Sequence, residues 1–481
     1  MNDLILGLDI GSSSVRTALF DETGEALPGT LAKIDCSLTG VNIDAESVLT
    51  NVIESIDATL QRSSGIKGKI AHIASCAFWH SLVGVGADGK PTTEVFTWAD
   101  TRSRKCTAKI QSDLDEAAVH HRTGARFHSS FWSSKMVWLK ADRPEGWAGT
   151  TRWLSLSDHI QSKLCGNDST SLSMASATGL LDQGKCAWDT ELLNYLEIDE
   201  SKLPKISHPN LTLDGSYQRR WPRLANARWH PAVGDGAANN VGSGCVTKNR
   251  AALMVGTSGA MRVYQGEPPD EIPTGLWCYR VDEKRVIVGG ALSDGGGLYA
   301  WLKKNLHVEL SDTAIGEEIA RRGADAHGLT LMPFFFGERS TGYHENARGH
   351  IFGLNASHDA IDILQAAMEA VAFRFAEILD QLEAIAPIDE IVVSGGALDA
   401  SPVWTQIIAD VLGRDLLVSN QPEASLHGAV LLALESIGKI KNLEVSTVLN
   451  PKQFHPKCHE IYKAARKRHV ATYNRLLNNN S

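Results

Sequence analysis

Apolar and polar positions alternate most clearly at two places in this chain, and both places read the same way. "LILGLDI", residues 4–10, is a strand; it breaks at Gly11-Ser-Ser-Ser14 and resumes as "VRTALFD", residues 15–21. Asp21-Glu-Thr-Gly24 is a turn, and "EAL" carries the meander on. From Ala251, "AALMV" enters Gly256-Thr-Ser-Gly259 and leaves as "AMRVY". Two strand–turn–strand units, one opening each half, read as an internal duplication of architecture. The Gly- and Ser-rich stretch "VGSGCVTKNR", residues 241–250, marks the boundary and predicts domains over 1–245 and 246–481.

Helix-period signals follow in the second half. Ser357-His-Asp359 caps a helix with apolar Ile361, Leu364, Met368, Val371, Phe375, Ile378 and Leu382 on one face, ended by Pro387. Ile391–Val393 is a short strand, Gly395-Gly396 turn it, and Ser401-Pro402 start a helix that stops near Gly413. A strand that enters a glycine turn before a helix is a nucleotide-contact geometry of α/β folds.

Composition narrows the class. The 481 residues suit two or three domains, 43% apolar and 21% charged. A net charge of −9 argues against a broad nucleic-acid surface, and the basic "KAARKRH" near the C-terminus reads as a solvated helix face. Eight cysteines at 36, 76, 106, 165, 186, 245, 278 and 458 form no C-x-x-C pair, so zinc and thioredoxin chemistry have no support. "MNDLILGLDIG" has no basic n-region, and no apolar run spans a membrane. The expectation is a cytoplasmic protein with reduced thiols and chance N-x-[ST] matches at Asn167, Asn210 and Asn355.

"GVGADG", residues 84–89, matches a dinucleotide fingerprint, and Gly84–Lys90 nearly matches a P-loop. Both need a helix next; here Pro91 follows the lysine and "PTTEVFTW" reads as strand, so Asp88-Gly89 is a hairpin turn. The paired turns are better anion sites. Small residues let backbone N–H groups approach an anion, and Ser12, Ser13, Thr257 and Ser258 add hydroxyls. Two such hairpins facing across a cleft would grip a triphosphate, with Asp9 on its Mg²⁺. Asp235, between two glycines in "VGDGAANN", is either a ligand-facing carboxylate or a solvent-facing turn residue.

In order along the chain, "GLDIGSSSVR", "TWADTR" (97–102), "VGDGAANNVG", "VGTSGAMRV", "GERSTGYHENARGHIFGL", "VSGGALDASPVWTQIIADVLGRDL" and "EASLHGAVLLALESIG" resemble the motifs of the FGGY family of carbohydrate kinases. The resemblance implies an α/β, two-domain actin-like (ribonuclease H-like) ATPase fold with a central cleft. It implies ATP-dependent phosphorylation of a sugar, sugar acid or polyol, with Asp235 as general base and Asp9 on Mg²⁺. By the same resemblance Gly11, Ser12, Ser13, Ser14, Arg16, Gly256 and Thr257 line the phosphates, and Gly296, Gly395 and Gly396 approach the other end of the nucleotide. Domain closure would expel water. Trp79, standing before His80 where relatives have a Met-His pair or similar, joins His80, Trp98, Asp100 and Arg102 as a sugar pocket. "HSL", "TWADTR" and "GTSGAMRV" look closest to the gluconokinase branch, and the carboxylate of gluconate would want Arg102, His80 or Arg339. His80-Ser81 stands where the glycerol branch carries Arg-Glu, which argues against glycerol. A ketopentose (xylulose or ribulose) kinase and, from another class, an actin- or chaperone-like ATPase switch are the alternatives. The partner is a small sugar or sugar acid, with no nucleic acid or membrane, and a homodimer is left open.

Overall fold

The computed structural model describes residues 3–36, 38, 40, 42–443 and 451–478. Its first half is built on a six-stranded sheet. Asp3–Ile10, Ser14–Phe20 and Ala32–Asp35 form the antiparallel meander expected from the alternation. Lys69–Ala77 then pairs parallel to Asp3–Ile10, and Val233–Gly234 pairs parallel to Lys69–Ala77. The second half repeats this plan in a seven-stranded sheet. Arg250–Val255, Gly259–Gln265 and Arg285–Leu292 are antiparallel neighbours, and Glu390–Ser394 lies parallel to Arg250–Val255. Parallel strands end at the same sheet edge, so Asp9 and Asp235 share one edge, and the turn after Val255 and Gly395 share the other.

The long helix runs over Ala360–Glu383 with Asp359 as N-cap, in a capping box with Asp362. It stops one turn short of Pro387. Pro402–Leu412 forms with Gly413 as a left-handed cap, as its sequence requires, after a four-residue helix Gly396–Asp399 that the pattern did not indicate. "PTTEVFTW" is corrected: it makes isolated bridges, Leu82 with Phe96 and Val95 with Ile43, and no regular strand. No helix follows it before Arg104–Asp113, and Gly89 takes φ +73°, consistent with a turn. "KAARKRH" sits in helix His459–Tyr473 and is more than a solvated face: Arg466 pairs with Glu377 and Asp380, Arg468 pairs with Asp325, and His469 is buried. Among the described residues no helix is long and apolar enough to cross a membrane.

Two features tie the halves together. Helix Ala424–Ser436, late in the chain, packs Leu426, Val430, Ala433 and Leu434 against Ile5, Ala18, Phe20 and Ala74 of the first sheet. Strand Trp277–Asp282 meets the helical region between residues 104 and 183: Cys278 N donates to Gly124 O at 2.9 Å and Arg280 N donates to Ser176 Oγ at 3.0 Å.

Candidate active site

A cavity of about 820 Å³ opens between the two sheets, and both Gly/Ser turns lie on its wall. The turns are closed alike. Gly11 N donates to Ser14 O at 3.0 Å, and Gly256 N donates to Ser258 O at 2.9 Å. Their carbonyls are tied from behind: Ser12 O and Ser13 O accept from Leu38 N and Cys36 N, while Gly256 O and Thr257 O accept from Gly296 N and Gly297 N. The amides of Ser12, Ser13, Thr257 and Ser258 find no protein acceptor among the described residues. Four unspent donors on two facing turns make an anion cradle. Gly395 closes the floor at φ +108°, where a Cβ would lie 2.4 Å from Val255 O.

Strand register delivers the acids. Asp9 lies opposite Arg16 on one side and Cys76 on the other. Its carboxylate is 3.5 Å from Arg16 Nη1, which also meets Glu423 at 2.7 Å, and it accepts from Cys76 Sγ at 3.4 Å. Burial pushes Asp9 up to about 7, against the charge of Arg16; Asp235 and Glu423 add to the rise. A buried carboxylate among other acids suits a divalent cation, which would restore its charge. Asp235 opens helix Asp235–Gly242 and is half-buried on the cavity wall. Burial raises it above the ordinary carboxylate range, while Arg262, the Gly236 N–H at 2.7 Å and Arg339 pull it back.

The glycines beside Asp235 have a packing role that the sequence did not suggest. A Cβ on Gly234 would fall 1.7 Å from Trp79 Nε1, and one on Gly236 2.4 Å from the Trp79 ring. They admit Trp79, whose Nε1 donates to Ser173 O at 3.1 Å and whose ring meets Trp277 and Tyr279 edge-on. His80 stands beside it at φ +70°. Its Nδ1 lies 2.6 Å from Ala177 O, which fixes the proton there and turns Nε2, an acceptor, towards Arg339 Nη2 at 3.5 Å. Burial holds His80 well below its usual range, helped by the charges of Arg339 and Lys135, so the ring is neutral. Lys135 pins this loop from behind, donating to His80 O at 3.1 Å and to Ser130 O.

Of the residues singled out from the sequence, Asp9, Gly11, Ser12, Ser13, Arg16, Trp79, His80, Trp98, Asp235, Gly256, Thr257, Gly395 and Gly396 line this one cavity. Four do not. Ser14 lies beneath its turn, 1% exposed. Gly296 packs against Gly256 and opens instead onto a neighbouring cavity of about 530 Å³ with Tyr299, Lys303 and Trp404. Asp100 and Arg102 stand outside: Arg102 forks onto Asp100, reaches Glu94 at 2.8 Å and lies over the Phe96 and Trp138 rings. Sequence reasoning passed over Arg262, Trp277, Tyr279 and Glu423. Arg262 was legible as a lone charge in the buried strand "GAMRVYQ", and Trp277 and Tyr279 as an i, i+2 aromatic pair on one strand face.

Known proteins are similar to this chain in sequence and fold. A gluconokinase of Bacillus licheniformis is 28% identical over 474 residues, covering 92% of this chain and 90% of that protein. A xylulose kinase of Staphylococcus xylosus is 25% identical over 441 residues, covering 89% and 90%. The crystal structure of a gluconate kinase from Lactobacillus acidophilus has the same fold, with a TM-score of 0.88 at 24% identity over 99% of this chain and 98% of that one. The sequence matches the N-terminal domain of the FGGY family of carbohydrate kinases over residues 4–213 and its C-terminal domain over residues 251–436. With both domains matched in order and the paired turns set across one cleft, the chain belongs to the FGGY family and is a carbohydrate kinase.

Proposed function

We propose that this kinase transfers the γ-phosphoryl group of ATP to a hydroxyl of gluconate. The observation that carries the reading is that Asp235 lies on the wall of one cavity that also holds both anion-binding turns and the His80, Trp98 and Arg339 cluster. Gly11, Ser12, Ser13, Gly256 and Thr257 present amides and hydroxyls to the phosphates, and Arg16 adds a charge. Asp9 would hold Mg²⁺, which when bound would neutralise phosphate charge. Gly395 and Gly396 let the backbone approach the nucleotide, and the second cavity beside Gly296 receives the nucleoside. Asp235, ionised, takes the acceptor hydroxyl proton as the oxygen attacks the γ-phosphorus and the bond from that phosphorus to the β–γ bridging oxygen breaks, releasing ADP. His80 Nε2 accepts from an acceptor hydroxyl, and the faces of Trp79 and Trp98 pack against its C–H groups. The similarity to gluconokinases supports the choice of acceptor. We also place the division between the domains near residue 245, since the first sheet takes its last strand from Val233–Gly234 and the second begins at Arg250.

The test is an ADP-release assay over gluconate, xylulose, ribulose and glycerol, beside Asp235→Asn. Gluconate-dependent turnover that the variant loses is the expected result. Turnover with a ketopentose alone replaces the acceptor, and acceptor-independent ATP hydrolysis untouched by the variant overturns the phosphotransfer assignment.

A further inference from the structure

Three arginines line the main cavity among the described residues, and they differ in what holds them. Arg16 is committed to Glu423 and Asp9 at the phosphate end. Among the described residues Arg262 and Arg339 have no carboxylate partner within ion-pair distance. Arg262 is 3% exposed; its Nη1 donates to Gly236 O at 2.6 Å, and its Nε is buried without a hydrogen-bond partner among the described residues. Arg339 lies over the Trp98 ring at 5.7 Å and touches only the neutral His80, at 3.5 Å. Asp235 is near enough to both to feel their charge without pairing with either. This end of the cavity therefore carries two positive charges against one negative. An uncompensated guanidinium in a desolvated wall is costly, and its planar fork matches a carboxylate.

We infer that Arg262 and Arg339 form the seat for an anionic group on the acceptor, so that the site selects sugar acids over neutral sugars and polyols. The inference rests on the gluconate reading above and names the residues that would enforce it. One carboxylate balances the surplus charge and supplies acceptors for the Arg339 fork; a ketopentose or a polyol does neither. The other cations in this region are spent: Arg102 on Asp100 and Glu94, and Lys135 on two backbone carbonyls.

The experiment is calorimetric titration of the nucleotide-free protein with gluconate and with glucitol, which has an alcohol in place of the carboxylate. The parent should prefer gluconate by roughly 10- to 100-fold, the range of a charged hydrogen-bonded pair. Arg262→Met and Arg339→Met should each move the preference towards parity, and Arg262→Lys and Arg339→Lys, which keep charge but lose the fork, should retain part of it. Thermal melts identify any variant that fails to fold, and the lysine pair then decides. Equal affinity in the parent, or a preference that survives in both positions, overturns the inference. If the variants lose kcat while the preference stands, the guanidiniums serve the phosphoryl group; the inference falls and the kinase reading remains. Turnover of xylulose with no binding of gluconate removes both.

Discussion

Gly428 lies so close to Ala238 that a Cβ on it would come 1.8 Å from the Ala238 carbonyl oxygen; a Cβ on Gly242 would meet Ala424 O at the same distance. The helices Asp235–Gly242 and Ala424–Ser436 therefore cross backbone to backbone, one starting at Asp235 and the other just after Glu423. This crossing sets the spacing between the acid of the first half and the cation-pairing residue of the second. Gly428→Ala must push the helices apart. We expect a loss of about 1–3 kcal/mol in urea denaturation together with a fall in kcat/KM. An unchanged midpoint would contradict the close crossing.

Asp235→Asn removes the group assigned as base, so kcat should fall by at least about 100-fold with gluconate binding retained. The base works ionised, so kcat/KM rises with pH through its pKa. Burial has moved that pKa up, which places the acid limb above the range of an ordinary aspartate. Arg262→Met removes the charge that pulls Asp235 back and should shift the limb to still higher pH. A pH–rate series on both proteins checks the direction.

Asp9 stores instability. Its folded value is about 7 against 3.8 for an unperturbed aspartate. Below 3.8 the group is protonated in both states and costs nothing; the penalty grows as pH rises to about 7 and is complete above it. Asp9→Asn, which cannot ionise, should thus melt higher than the parent at pH 8 in magnesium-free buffer and about equally at pH 3. The same variant should lose magnesium-dependent stabilisation by nucleotide. Scanning calorimetry at the two pH values tests both statements.

Arg102 is held 2.6 Å from Asp100 and outside the cavity. Arg102→Met should leave KM for the sugar near the parent value while costing about 1–2 kcal/mol, since the pair is only partly exposed. A large rise in KM with stability intact would bring Arg102 back into the pocket.

Much of this is legible in the sequence. The two meanders follow from alternation and from Gly/Ser turns, both local, and the cap at Asp359 and the stop at Gly413 follow from backbone preferences of single residues. Of "TWADTR", whose residue types fit a sugar pocket, the structure brings Trp98 to the cavity, while Arg102 is close enough in sequence to fork onto Asp100 and reach Glu94 outside it. Gly296 packs on Gly256 and also borders the second cavity, the one proposed to receive the nucleoside; the close packing was not legible from its neighbours in sequence.

The sequence by itself determined the strand–turn–strand units and the helices with strong period and caps, because each depends on residues a few positions apart; it pointed to Asp235 only through the family resemblance. Only the tertiary structure decided that Asp9 and Asp235 share an edge, that Arg16 meets Glu423, and that Arg262 and Arg339 face the same cavity unpaired. Those facts depend on strand pairing and helix crossing between segments up to about 400 residues apart. A one-residue slip in a strand would send the same side chains to the opposite face, and no local pattern records which register is adopted.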